Sequence, residues 1–165
     1  MLDPKSGDRI LDIGAGRGEK AAKIAEAFPG AEVYAVDPNE RRVAEAKRDH
    51  PSVRSTVAGA EKLPFGDGFF DKAYSTMALH HFSDLDRALG EISRVVRSGG
   101  SYVILEVNPG SPLGRLFRFF GRLMGERMEI VAEEQLLVKL ERSAGFRVDR
   151  SVSLGSRYLV RLARA

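Results

Sequence analysis

At 165 residues the chain is long enough for one domain with a sizeable core, and its 43% hydrophobic and 30% charged residues are those of a globular protein. It has no cysteine and no apolar run near the roughly 20 residues a membrane span needs, which excludes a disulfide scaffold, thiolate chemistry and a helical membrane protein. The net charge of +3 is uneven, with eleven Lys and Arg against six Asp and Glu from Ser111 to Ala165, so it marks one surface and not a general nucleic-acid binder.

In chain order, Arg9–Ile13 is a short apolar run expected as a buried strand. Glu19–Phe28 follows with Ala21, Ile24, Ala25 and Phe28 at helical spacing, and Pro29-Gly30 stops it. Glu32–Val36 is the next strand, ending at Asp37, and Pro38 suits the first turn of a helix that runs to about Asp49. Val53–Val57 alternates like a third strand and Phe70–Ser75 reads as a fourth. Ser83 or Asp84 caps a helix whose apolar face is Leu85, Ala88, Leu89, Ile92, Val95 and Val96, with Gly99-Gly100 as its end. Tyr102–Val107 is nearly continuous in apolar residues, as a strand covered on both faces should be.

Beyond Pro109 the rhythm changes. Leu113–Met124 and Glu133–Ala144 are helix candidates, and Gly145 stops the second. Phe146–Ser153 and Tyr158–Ala163, joined by a tight Leu-Gly-Ser connection, read as an antiparallel hairpin. Seven strands alternating with helices predict a three-layer α/β sandwich with a mainly parallel sheet and an antiparallel C-terminal hairpin, all in one domain over 1–165.

Ligands of such sheets bind beyond the carboxyl ends of the strands, beside strand one. There the chain reads ILDIGAGRGEK, with Gly14, Gly16 and Gly18 directly after the strand and opening a helix. Gly14 permits a tight turn, Gly16 lets a ligand lie on the backbone, and the helix N-terminus offers amide donors to an anion. A triphosphate loop needs Gly-Lys followed by Ser or Thr, whereas Lys20 stands between Glu19 and Ala21. A dinucleotide loop needs Gly or Ala where Glu19 stands, beside the pyrophosphate. A zwitterion fits better, its carboxylate on the amides and its ammonium near Asp12.

Asp12-x-Gly14-x-Gly16-x-Gly18, followed by an acid at Asp37, resembles the class I methyltransferases that use S-adenosylmethionine. The resemblance continues through AGAEKLPFGDGFFDKAYSTMALHHFSD (58–84) and RVVRSGGSYVILE (94–106), so it covers about residues 9–108 in register. Within the family the chain looks most like the ubiquinone/menaquinone and lipid methyltransferases, in which a strand ending in Glu is followed by a Pro-containing segment and a Phe/Leu/Arg-rich helix, as in EVNPGSPLGRLFRFFGRLMG (106–125). It implies a Rossmann-like fold and S-adenosyl-L-methionine as cofactor, with S-adenosyl-L-homocysteine as product. The implied cofactor-binding residues are Asp12, Gly14, Ala15, Gly16 and Gly18, then Asp37 for the ribose hydroxyls with Pro38, and Ala60, Glu61 and Ser75. Family members often carry Asp or Asn before the Ala-Glu pair, to meet the adenine amino group. Gly59 stands there, which moves that contact to the backbone around Ala60 and Glu61.

Methyl transfer gains from a general base when the acceptor is an oxygen or carbon nucleophile. His80 and His81, after the fourth strand, are the catalytic candidates, with local packing as the alternative for each. No metal site is expected, because the only other histidine is His50. Glu106 ends the central strand facing the reaction region. The expected acceptor is a small apolar molecule, either a quinone precursor or a lipid. A nicotinamide oxidoreductase and a cofactor-binding module that needs a partner chain are the rival readings. Residues 113–124 form a basic amphipathic helix suited to an acceptor wall or to a peripheral membrane contact. Only eight residues precede the first strand, so either the site is unusually open or the lid over the cofactor comes from residues 109–130 or from a second subunit, and a homodimer contact is expected near this face. The absence of a signal-peptide pattern and of cysteine predicts a cytoplasmic protein. The scarcity of Asn and Gln (Asn39, Asn108, Gln135) predicts a thermophilic source.

Overall fold

The computed structural model describes residues 2–123, 132–143 and 145–165. The strands are β1 (Arg9–Ile13), β2 (Glu32–Asp37), β3 (Arg54–Val57), β4 (Phe70–Thr76), β5 (Val96–Val107), β6 (Phe146–Ser153) and β7 (Arg157–Arg164). The helices are α1 (Glu19–Ala27), α2 (Glu40–Asp49), α3 (Leu85–Val95), α4 (Pro112–Leu123) and α5 (Glu133–Ser143), and a 3-10 turn spans Leu79–His81. The strands form a single seven-stranded sheet in the order β3-β2-β1-β4-β5-β7-β6. β7 is antiparallel to both β5 and β6, and the other pairings are parallel. The expected architecture is therefore borne out, with β7 as the one reversed strand.

The period of two along the strands sorts the core into two faces. Leu11 and Ile13 of β1, Tyr34 and Val36 of β2, and Tyr102 and Ile104 of β5 join Leu89 and Ile92 of α3 and Leu136 and Leu140 of α5. On the opposite face, Val33 and Ala35 pack on Ala21 and Ala22 of α1, and Ile10 packs with Tyr74 and Val103. α3 follows the expected apolar stripe, burying Ala88, Leu89, Ile92 and Val95. Each fully buried Leu or Ile there contributes roughly 1.5–3 kcal/mol relative to exposure.

Two expected boundaries are corrected. α2 begins at Glu40 and not around Pro38, because the Asn39 side chain accepts the Arg42 amide and so supplies the N-cap. α3 ends at Val95 and not at Gly99-Gly100, because Val96 joins the sheet opposite Phe70. A β-branched valine with a ladder partner favours extended backbone over one more helical turn. Of the two candidate caps for α3, Asp84 does the capping, accepting the Arg87 amide at 3.0 Å. Met124 and Ala144, the expected last residues of two helices, lie outside the described residues, as does 124–130 of the expected lid segment.

Candidate functional site

The β1–α1 connection is a chain of three left-handed glycines, at φ 74° for Gly14, 58° for Gly16 and 79° for Gly18. A Cβ on Gly14 would stand 2.5 Å from the Ala78 Cβ, so the loop after β4 presses directly on the glycine loop. The expectation that the glycine amides are open to a ligand is not met, because each already has an acceptor within the protein. The Gly14 and Ala15 amides donate to the Val36 carbonyl at 2.9 and 3.0 Å, and the Gly18 amide donates to Ala15. The Gly16 amide donates to Asp37 Oδ2 at 2.9 Å. Parallel pairing of β1 with β2 places those acceptors alongside the turn, so the loop is held by its neighbours.

Asp37, at the end of β2, is buried and ties two loops together: Oδ2 accepts Gly16, and Oδ1 accepts the Asn39 amide at 3.0 Å. A carboxylate offers about four lone-pair positions, so each oxygen can accept one more donor. Asp37 borders a cavity of about 510 Å³ lined by Gly14, Pro38, Ala60, Glu61 and His81 among the expected residues. Asn39, Arg42, Gly59, Met77 and Phe82 also line it. The volume is that of an ordinary small-molecule site.

Gly59 explains itself here. A Cβ at that position would come within 2.9 Å of Glu61 Oε2, so glycine leaves room for the neighbouring carboxylate. Glu61 Oε1 takes the Ser83 amide at 2.7 Å, the Ser83 hydroxyl at 2.9 Å and the Asp84 amide at 3.3 Å. Burial pushes this carboxyl up, but the hydrogen bonds it receives outweigh that push and hold it below the usual range. Glu61 therefore fastens the far end of the loop that walls the cavity.

The near end of that loop is fastened by Glu106. Its carboxylate, 1% exposed, accepts the Leu79 amide on Oε2 and the Val107 amide on Oε1, and its Oε1 lies 3.0 Å from His80 Nδ1. Met77, where the loop leaves β4, has φ 55°, a left-handed conformation that costs a long side chain about 1–2 kcal/mol. Its amide continues the β4–β5 ladder to the Leu105 carbonyl at 2.8 Å, and that bond with the Glu106 anchor holds the conformation.

The sequence candidates thus divide. Gly14, Asp37, Pro38, Ala60, Glu61 and His81 share the cavity, with Ala15, Gly16 and Gly18 in the adjoining loop. His80 is buried against Glu106 while His81 is exposed, their ring centroids 4.2 Å apart. Ser75 does not line this cavity: it is 1% exposed, and its hydroxyl lies 2.8 Å from that of Tyr102, because strand alternation turns it into the sheet interior. Asp12 lies on the opposite sheet face from Leu11 and Ile13, where its Oδ2 accepts the Tyr74 hydroxyl at 2.8 Å. Burial pushes the Asp12 carboxyl up to about 7, against the lowering effects of that hydrogen bond and of Lys20. Met77, Arg42 and Phe82 were not foreseen. No sequence signal marks a left-handed Met, whereas Asn39 carries the ordinary signal of an N-cap residue. Among the described residues no group of three or more His, Asp or Glu is placed to hold a metal ion.

Comparison with known proteins gives the same picture. Residues 11–104 match the methyltransferase domain family. The demethylmenaquinone methyltransferase of Beutenbergia cavernae is 35% identical over 121 residues, which are 72% of this chain and 50% of that protein. The chain spans about half the length of the curated relatives it matches. A chain of the complex between the Trm112 methyltransferase activator of Haloferax volcanii and a methyltransferase superposes with a TM-score of 0.87 at 16% identity, covering 99% of this chain and 85% of that one. The geranyl diphosphate C-methyltransferase of Streptomyces coelicolor, in complex with Mg²⁺, geranyl diphosphate and S-adenosyl-L-homocysteine, superposes with a TM-score of 0.82 at 20% identity, covering 99% and 75%. With the glycine loop, Asp37 and the strand order already in hand, the family match over residues 11–104 means that this chain belongs to the methyltransferase domain family, of the S-adenosylmethionine-dependent class I type that its motifs resemble.

Proposed function

We propose that the chain transfers a methyl group from S-adenosylmethionine to a small apolar acceptor, a quinone precursor or a lipid-like molecule. The observation that carries this reading is Asp37, a buried carboxylate with an acceptor position to spare on each oxygen, set between the glycine loop and the 510 Å³ cavity. Those positions suit the two vicinal hydroxyls of a ribose. Gly14, which has no room for a side chain, forms the floor of the cavity, and Asp12, whose carboxyl burial pushes up to about 7, would meet an ammonium beneath the loop by giving up its proton as the ligand binds. Pro38, Ala60 and Glu61 wall the side where a nucleobase would lie.

Bound S-adenosylmethionine supplies a methyl group on a sulfonium sulfur, already activated for in-line displacement. The protein's part is to hold the reactants in line and to exclude water. A hydroxyl or carbon acceptor also loses a proton, and exposed His81 on the cavity wall is the group to take it. Buried His80 acts behind it as a positioning residue. The name of the Beutenbergia relative supports a quinone precursor, and the geranyl diphosphate complex supports an acceptor with an apolar chain. A second reading, a module active only with a partner chain, draws on the activator complex among the structural neighbours. A lid made by residues 109–130 or by a second copy belongs to the same question.

Isothermal calorimetry with S-adenosylmethionine, S-adenosylhomocysteine, NADH and ATP tests the cofactor. The two sulfur ligands should bind and Asp37→Ala should weaken both by about a hundredfold, the loss of two charge-assisted hydrogen bonds. NADH binding without either sulfur ligand would overturn the reading. Labelled methyl transfer to a reduced short-chain demethylmenaquinone tests the acceptor, and cofactor binding without transfer to any acceptor would favour the partner-dependent version.

A further inference from the structure

We infer that α4, together with the β6–β7 tip, is a docking surface for an anionic lipid bilayer. The inference rests on the apolar-acceptor reading, since such a molecule resides in a membrane. α4 carries Arg115, Arg118 and Arg122 and no acidic residue. Leu116 is 50% and Phe119 64% exposed, and the i, i+3 spacing puts them on one face with exposed Arg115 beside them. Phe119 is the most exposed large hydrophobic side chain among the described residues.

A second element adds to this surface. The Asn108 amide donates to the Ser156 carbonyl at 2.9 Å, and the Ser111 hydroxyl, which donates to the Asn108 carbonyl at 2.6 Å, also reaches Ser156 at 3.4 Å. These bonds bring the β6–β7 tip to the segment that starts α4. The tip carries Leu154, 53% exposed, and exposed Arg157. The tip and α4 lie past the carboxyl end of β5, the end of the sheet at which the glycine loop leaves β1.

Exposed apolar side chains beside exposed Arg115 and Arg157, on a helix whose own sequence holds no acidic residue, match the boundary between anionic headgroups and acyl chains. No helix among the described residues is long and apolar enough to cross a membrane, so the contact would be peripheral. A protein partner would need an acidic groove, and a second copy would set arginines against arginines.

The test is sedimentation with phosphatidylcholine vesicles, alone or mixed with phosphatidylglycerol, with calorimetry of S-adenosylhomocysteine on the same preparations. The wild type should pellet with the mixed vesicles, not with pure phosphatidylcholine, and should be released by salt. Arg115→Glu changes the local charge by two and should weaken that binding about thirtyfold. Leu116→Ser with Phe119→Ser should weaken it at least tenfold. No binding to mixed vesicles, or binding indifferent to all these variants, overturns the inference. A dimer in solution that Leu116→Ser and Phe119→Ser dissolve would assign the surface to a second copy instead. Loss of S-adenosylhomocysteine binding by the wild type would count against the methyltransferase reading, whatever the vesicles report.

Discussion

Around the cavity the carboxylates are engaged: Asp37 takes two amides, Glu61 takes two amides and a hydroxyl, and Glu106 takes two amides and faces His80. Past Asn108 the chain instead presents Leu116, Phe119 and Leu154 to solvent. The family match ends at residue 104, shortly before one region gives way to the other. A polar ligand of fixed shape needs donors and acceptors held in advance, and holding them takes buried partners. An apolar acceptor or a bilayer needs only area and charge, which surface side chains provide without donors and acceptors held in advance. Substitutions in the first region should therefore be costly, and those in the second nearly free in the folded protein.

The largest cost should come from Glu106→Leu, which strands the Leu79 and Val107 amides and the His80 ring and should lose about 3–5 kcal/mol in denaturant unfolding. A loss under about 1 kcal/mol would mean that the cavity wall does not depend on this anchor. Gly14→Ala comes next, because the new methyl meets Ala78 in a left-handed backbone; a cost of about 2–4 kcal/mol and weaker S-adenosylhomocysteine binding are expected.

Asp12→Asn is smaller and opposite in sign. Folded Asp12 keeps its proton up to about pH 7, whereas the unfolded chain releases it near 3.8, so wild-type stability falls as pH rises between those values and levels off above the higher one. Asparagine still accepts the Tyr74 hydroxyl and carries no charge to bury, so it should gain about 2 kcal/mol at pH 8 and flatten the pH dependence. It should also weaken cofactor binding about tenfold, the worth of one charge-assisted contact. Greater stability without weaker binding would remove Asp12 from the site. At the small end, Leu116→Ser with Phe119→Ser should change stability by no more than about 0.5 kcal/mol, measured by the same denaturant midpoint. A loss of 2 kcal/mol or more would mean that the two side chains pack in the fold, and the contrast between the regions would fail.

Much of the first region was legible in the chain. Gly14, Gly16 and Gly18 take the left-handed backbone their spacing suggests, and Asp37 lies beside them as the acid after strand two. Glu61 was legible as a site residue but not as the residue that fastens Ser83, because its partners lie more than twenty residues away. His80 and His81 read as equals and are not: one extra step along the 3-10 turn moves the second from the interior to the cavity. The family resemblance places Ser75, the last residue of the expected fourth strand, at the site, and side-chain alternation sends its hydroxyl to Tyr102.

By itself, the sequence determined the alternation of strands and helices, the reversed C-terminal hairpin and the glycine–acid signature, because these follow from periodicity and backbone freedom within a few residues of one another. Only the tertiary structure decided where α3 yields to β5, which loop amides are already occupied, that a buried Glu106 holds the wall of the cavity, and which apolar residues of α4 remain outside. Each of those depends on a partner distant in the chain, and burial and hydrogen bonding take effect only once folding has brought the two together.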